Sequence, residues 1–211
     1  MAGNRRRLVV ATRSGHKLRE LRQLLDIDAE LVSLDDLGVR GDPVEDASTF
    51  EGNAAAKARW AARATGLPAL ADDSGLEVEA LDGRPGVRTR RYAGENATDE
   101  DNNAKLLSAL AGLPPERRGA RYVCVLALAL PGEAGPRGGL PIRTRRGIAR
   151  GRIASGPRGH GGFGYDPIFE PPTERPGGRT FGQWSAEEKN RISHRARAAR
   201  AMTPLLRRLG F

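Results

Sequence analysis

The sequence predicts an α/β fold: a mixed, twisted central sheet with helices on both faces, arranged as two lobes with a cleft between them. Three observations carry this reading. Up to about residue 73, short apolar runs alternate with stretches of helical periodicity, the strand–helix–strand–helix order that builds a parallel sheet. Between residues 120 and 155, two long strand patterns flank a Gly- and Pro-rich stretch, which reads as a hairpin and so adds antiparallel pairing. Residues 185–209 then form a helical tail. No repeat is visible and no linker separates two cores, so residues 1–211 read as one domain, with the basic first six residues flexible.

The elements follow in order. RRLVVAT (6–12) is a strand, and SGHKLRELRQLLD (14–26) places Leu18, Leu21, Leu24 and Leu25 at helical spacing. ELVSLDDLGV (30–39) is a short strand and a turn. STFEGNAAAKARWAARATG (48–66) is a strong helix, with Ser48 and Glu51 in a capping-box pattern, an alanine-rich body and Gly66 as its stop. LPALADD (67–73) and LEVEAL (76–81) are read as two strands, and 82–97 as a loop. TDEDNNAKLLSALAGL (98–113) is a helix capped by Thr98, with acids in its first turn. ARYVCVLALALP (120–131) is the most apolar strand; 132–141 is its hairpin loop and the basic 142–155 returns from it. PRGHGGFGYDPIFEPP (157–172) is Gly-rich and aromatic. In 185–209, Ser185 and Glu188 form a second capping box, Ser193 marks a break and Pro204 a kink.

A chain of 211 residues with 38% hydrophobic residues can bury a sizeable core, and Gly 27 with Pro 14 implies many turns. No apolar run approaches the roughly 18–20 residues of a membrane span, and the short apolar stretch after the N-terminal basic run does not make a signal-peptide core. These features place the protein in the cytoplasm, away from membranes. The single cysteine, Cys124, lies in an apolar run and reads as a small buried residue. The net charge is +9 with 35 Lys plus Arg. Such a field favours anionic partners, although most arginines read as solvated faces. Against this arginine background, Lys17, Lys57, Lys105 and Lys189 stand out.

Four segments carry candidate chemistry. ATRSGHKLRE (11–20) is a strand, a polar turn and a helix start, a place for phosphate at the helix N-terminus with Lys17 as a point charge; it also fits an ordinary turn with a solvated lysine. Glu45, Asp72 and Asp73 are oxygen-only acids at strand and loop ends and suit Mg²⁺, which takes one or two carboxylates plus substrate phosphates; Asp72–Asp73 equally fits a solvated strand end. Adjacent strand residues point to opposite faces, so both aspartates reach one site only if the chain turns at Ser74–Gly75. In GGFGYDPIFEP (161–171), Phe163 and Tyr165 could meet a flat base or simply pack in the core. In EEKNRISHRARA (187–198), Lys189, His194 and Arg195 gather at a helix break, an arrangement suited to an anion or carbonyl group.

Taken in order, TFEGNAAAKA, LADDSGLEVEALDGRPGV, GGFGYDPIF and EEKNRISHR resemble the signature segments of the inosine/xanthosine triphosphate pyrophosphatase (Ham1-like) family, from about Val9 to Leu209. The resemblance implies Mg²⁺-assisted hydrolysis of ITP, dITP or XTP to the monophosphate and pyrophosphate by a homodimer. It implies Asp73 as general base and Glu45, Asp72 and Asp73 near the metal. Thr12, Ser14 and Lys17 would bind phosphate in the first turn, with Lys57 and Ser74 facing the substrate. Phe163 would stack on the base, Tyr165 and Asp166 would follow it along the pocket, and Lys189, His194 and Arg195 would read the purine's carbonyl edge.

Two positions depart from the family pattern. Ser14 stands where Thr-x-Asn-x-x-Lys has Asn, and Gly52 stands where Glu-Asn-Ala has Glu, changes that bear on rate and metal affinity. The alternatives to the enzyme are a basic nucleic-acid-binding protein and a catalytically weak nucleotide-binding homologue. The first requires no Mg²⁺ and lacks the aromatic or zinc-finger patterns of known binders, so nucleic acid is disfavoured as a partner.

Overall fold

The structure is a computed structural model that describes residues 5–132 and 139–211. Residues 1–4 of the basic N-terminal run, and most of the hairpin loop expected at 132–141, lie outside the described residues. The strands are β1 (Arg6–Val10), β2 (Ala29–Ser33), β3 (Ala69–Val78), β4 (Gly119–Ala129), β5 (Ile142–Ile153) and β6 (Phe169–Glu170). They form one sheet in the order β2-β1-β3-β4-β5-β6. β1 pairs in parallel with both β2 and β3, and β5 pairs antiparallel with β6, so the sheet is mixed as expected. The chain divides into two compact units: Met1–Asp73, Cys124–Gly147 and Arg195–Phe211 make the first, and Ser74–Val123 with Ile148–His194 the second. β3, β4 and β5 each contribute residues to both units.

In the first unit, α1 (Gly15–Leu24) starts at Ser14, whose hydroxyl accepts from the Lys17 N–H at 3.4 Å. α2 (Phe50–Thr65) is capped by Thr49, which accepts from the Gly52 N–H at 3.1 Å, and stops at Gly66 with φ 66. The sequence pointed to a cap one residue earlier, at Ser48. The shift follows from Phe50, which is buried as the first helical residue, and it leaves Glu51 at the surface, where it meets Arg146. The core gathers Leu8, Val10, Leu21, Leu70, Leu126 and Leu128 with Met202, Leu206 and Phe211 of the C-terminal segment. Each fully buried leucine of this kind adds about 1.5–3 kcal/mol, which sets the strands firmly under α1.

β3 corrects a second expectation. The sequence read as two strands separated by a turn at Ser74–Gly75; the structure shows one strand of 10 residues. The polar residues Asp72 and Asp73 are buried, and each meets a cationic side chain, so the strand continues through them without a turn. The two carboxylates therefore keep the alternation of an extended chain and meet different partners.

In the second unit, α3 (Asp99–Ala109) has the capping box of Thr98 and Asp101. α4 (Ala186–Ile192) has the capping box of Ser185 and Glu188, as the sequence indicated. The helical tail breaks at Ser193, which is extended (φ −61, ψ 156), and α5 runs His194–Arg208 through Pro204. The core here joins Leu76, Val78, Leu106 and Leu110 to Tyr122, Tyr165, Ile168, Phe169 and Phe181. Arg118 is buried and donates to the carbonyls of Leu110, Ile153 and Ala154, at 2.8, 2.8 and 2.7 Å, tying the end of α3 to the end of β5.

Candidate active site

Two clusters of charged and aromatic side chains emerge, one in each unit. The first has Asp72 at its centre. Lys17 Nζ lies 2.6 Å from Asp72 Oδ1, Arg195 Nε donates to Asp72 Oδ2 at 2.8 Å, and the Cys124 thiol donates to the same oxygen at 3.1 Å. Arg195 also donates to Glu20 through Nη1. Burial alone would raise the Asp72 carboxyl, but Arg195 and Lys17 outweigh it and hold the group well below the usual carboxylate range. Burial would lower Arg195 in turn; Asp72 and Glu20 raise it above its ordinary value. The Cys124 thiol is pushed well up by burial and then by Asp72, so it remains a neutral donor.

Asp73, the next residue, has another partner. Lys57 Nζ lies 2.6 Å from Asp73 Oδ1 and 3.2 Å from Glu45 Oε2, so one ammonium holds both carboxylates. α2 presents Lys57 on its buried face, between Ala54 and Ala58. Burial raises the Asp73 carboxyl above its ordinary value; Lys57 lowers it and Glu45 adds to the rise. Lys57 is raised, burial being outweighed by Asp73 and Glu45. The proton therefore belongs to the lysine, and Asp73 is a carboxylate that gains a proton more readily than a solvated one.

The loop that carries Glu45 is docked on the first turn of α2. Asn53 is buried and its Oδ1 accepts from the Ala47 N–H at 3.0 Å. Gly52 leaves room for the Ala47 methyl, since a Cβ at position 52 would come within 2.7 Å of the Ala47 Cβ. Asn53 was not singled out in the sequence; an Asn in the interior of an alanine-rich helix was the available signal, because such a residue is a poor helix former without a partner. Ser14 sits at the α1 N-cap with Thr12, whose Oγ1 accepts from the Ser14 N–H at 3.1 Å. The hydroxyl at position 14 thus serves the helix start. Ser74 follows Asp73 directly on β3 and is half-buried.

The second cluster centres on Asp166, which is 1% exposed. Its Oδ2 accepts from Lys189 Nζ at 2.7 Å and from the Phe163 N–H at 2.9 Å, and its Oδ1 accepts from the Tyr122 hydroxyl at 3.3 Å. Gly162, with φ 74, must be glycine: a Cβ there would lie 2.0 Å from Asp166 Oδ2. Lys189 Nζ stands 4.9 Å from the centroid of the Phe163 ring, a cation–π distance. Helix α3 grips the loop at Gly164, whose N–H donates to Asp99 at 2.6 Å and whose carbonyl accepts from Asn103 at 3.1 Å. His194 is buried and stacked on Tyr122. Tyr165 turns into the core and donates its hydroxyl to the Thr89 carbonyl at 2.8 Å, an anchoring position.

The structure therefore joins Lys17 with Asp72 and Arg195, Lys57 with Glu45 and Asp73, and Lys189 with Asp166 and Phe163. Among the described residues no group of three or more His, Cys, Asp or Glu converges as a metal-holding cluster. Both Asp72 oxygens are already engaged by cations and a thiol. Glu45 and Asp73, by contrast, converge on a single cation. Two carboxylates meeting at one positive charge form a donor set that fits a hard divalent ion completed by phosphate oxygens.

Similarity to known proteins extends over nearly the whole chain. Residues 8–205 match the Ham1 family. The chain is similar to a dITP/XTP pyrophosphatase of Geobacter sulfurreducens, 52% identical over 193 residues that cover 91% of this chain and 92% of the relative. A dITP/XTP pyrophosphatase of Mycolicibacterium paratuberculosis is 47% identical, over 96% of each. The fold superimposes on a HAM1 protein from Coxiella burnetii with a TM-score of 0.84 at 42% identity, covering 96% of this chain and 99% of the other. By sequence and by fold alike, this chain belongs to the Ham1 family.

Proposed function

We propose that this protein hydrolyses non-standard purine nucleoside triphosphates (ITP, dITP or XTP) to the monophosphate and pyrophosphate, by attack of water on the α-phosphorus. The relatives named dITP/XTP pyrophosphatase support the substrate class. The observation that carries the chemistry is Lys57 held between Glu45 and Asp73. Glu45 and Asp73 are the residues that would hold Mg²⁺, which when bound neutralises phosphate charge and so favours attack at phosphorus.

The chain's own residues do the rest. Asp73 is the carboxylate that takes the proton from the attacking water, and its raised affinity for a proton suits that task. Lys57 keeps that carboxylate ionised and aimed. Lys17 and the N–H groups at the start of α1 meet phosphate oxygens and stabilise charge that develops on them. Arg195 and Asp72 act one step back: their buried pair fixes Lys17. Base recognition is assigned to Phe163, Lys189 and His194. Phe163 offers a ring for stacking, and Lys189 and His194 present donors to the carbonyl at the purine six-position. Adenine carries an amino donor there, so donor would face donor and a buried pair would go unmade, a penalty on the order of a thousandfold in selectivity.

The working form is a homodimer in the cytoplasm. The resemblance implies the dimer. The test of the catalytic reading is Asp73→Asn: pyrophosphate release from ITP with Mg²⁺ falls by about 10²-fold or more while ITP binding persists. Near-normal turnover in that variant removes Asp73 from the role of base.

A further inference from the structure

Tyr122 shows itself in the sequence only as one residue of an apolar strand. In the structure it is 7% exposed and touches the second unit's polar cluster at two separate points. Its ring lies parallel to the His194 imidazole, with centroids 4.6 Å apart and planes at 9°. Its hydroxyl donates to Asp166 Oδ1 at 3.3 Å. Through its other oxygen, Asp166 holds Lys189 Nζ at 2.7 Å and the Phe163 N–H at 2.9 Å. The tyrosine ring also packs against Phe169, centroids 4.7 Å apart and planes at 51°. Phe169 is fully buried and carries the ring on a fixed support.

We propose that Tyr122 is a positioning and specificity-determining residue: it sets the plane of His194 and the orientation of the Asp166 carboxylate, and through these it fixes Phe163 and Lys189 for the purine base. The inference rests on the reading of this cluster as the base subsite. Its physical basis is a division of labour within one side chain. A stack at this distance restricts rotation of the imidazole, which decides where its ring nitrogens point. A hydroxyl on Oδ1 fixes the carboxylate plane, and the lone pairs of Oδ2 are then aimed at Lys189 and Phe163. The core needs only the ring, since phenylalanine has the same outline. The buried hydroxyl is the part that packing does not explain, and it is spent on Asp166.

Tyr122→Phe keeps the stack and removes the hydroxyl; Tyr122→Leu removes both. The experiment measures kcat and KM for ITP and ATP and the melting temperature of each variant, with Lys189→Met beside them. In Tyr122→Phe, KM for ITP rises roughly three- to tenfold with kcat within about twofold, as expected for loss of one hydrogen bond to a charged group that orients substrate contacts. The ITP-over-ATP preference shrinks by a similar factor while the melting temperature stays within about 2 °C. Tyr122→Leu moves the preference further in the same direction. Wild-type KM and preference in Tyr122→Phe, or equal losses on both substrates that track the melting temperature, overturn the inference. Should Lys189→Met also leave the preference untouched, the base subsite itself is misassigned and the inference falls with it. A preference erased by Lys189→Met but intact in Tyr122→Phe removes Tyr122 alone.

Discussion

Arg195 Nε lies 2.8 Å from Asp72 Oδ2, although the two residues are 123 positions apart in the chain. Both side chains are buried, at 1% and 0% exposure. The pair ties the start of α5 to the middle of β3 and leaves Lys17 on the other carboxylate oxygen. Removing one partner of such a pair strands a charge away from water, which is costlier than never having had the pair. Arg195→Met is therefore expected to lose about 3–5 kcal/mol of stability in urea unfolding, and Asp72→Asn in the same chain to restore part of it. Additive losses in the double variant would show that the two residues are not coupled.

The same carboxylate sets an acid limit. Asp72 is held well below its ordinary 3.8, so its contribution is complete above that value and is lost as pH falls through the lower folded value. Stability of the wild-type protein should decline below about pH 4, more steeply than that of Asp72→Asn, which has no proton to take up there. The urea midpoint measured across pH 2–6 decides this. Parallel curves would mean that Asp72 does not hold its charge in the fold.

Lys57 governs the pH dependence of catalysis. Burial raises Asp73 and Lys57 offsets part of that rise, so Lys57→Met should raise the Asp73 carboxyl further. The acid limb of kcat/KM then moves to higher pH, and turnover at neutral pH falls. A shift of that limb to lower pH, or none, would contradict the pairing as the control on Asp73.

Gly52 is set against Ala47, and that contact places the Glu45 loop. Gly52→Ala adds helix propensity of about 1 kcal/mol but drives its methyl into Ala47. The loop is the softer side, so stability should change by less than about 1 kcal/mol while the Mg²⁺ concentration for half-maximal rate rises several-fold. An unchanged metal requirement would show that Glu45 is not positioned from this contact.

Much of this was legible in the chain. Strand and helix order came from periodicity and capping residues, and the acid, lysine and aromatic segments were visible because Lys is rare beside Arg here: Lys17, Lys57 and Lys189 each hold a carboxylate in the structure. Of these, Lys57 sits between two carboxylates, Glu45 and Asp73, and Arg195 bridges Asp72 and Glu20 in the same way with its guanidinium. Other features were hidden. β3 looked interrupted because doubled aspartates read as a strand end, and only distant partners such as Lys17, Lys57 and Arg195 show that they can be buried. Glu20 and Tyr122 gave no local signal: each acts through a residue remote in sequence, and spacing along one chain does not report such pairs. The N-cap of α2 was misplaced by one residue because Ser48 and Thr49 are both competent caps, and the burial of Phe50 decides between them.

The central claim is water attack at the α-phosphorus of a purine triphosphate chosen by its six-position carbonyl. The direct measurement is hydrolysis of ITP, XTP, GTP and ATP with Mg²⁺ in ¹⁸O-water, with products separated. The account predicts pyrophosphate and a labelled monophosphate from ITP or XTP, at a rate on the order of a thousandfold above that from ATP. Equal rates on all four nucleotides, or release of single phosphates with the label in phosphate, would contradict it.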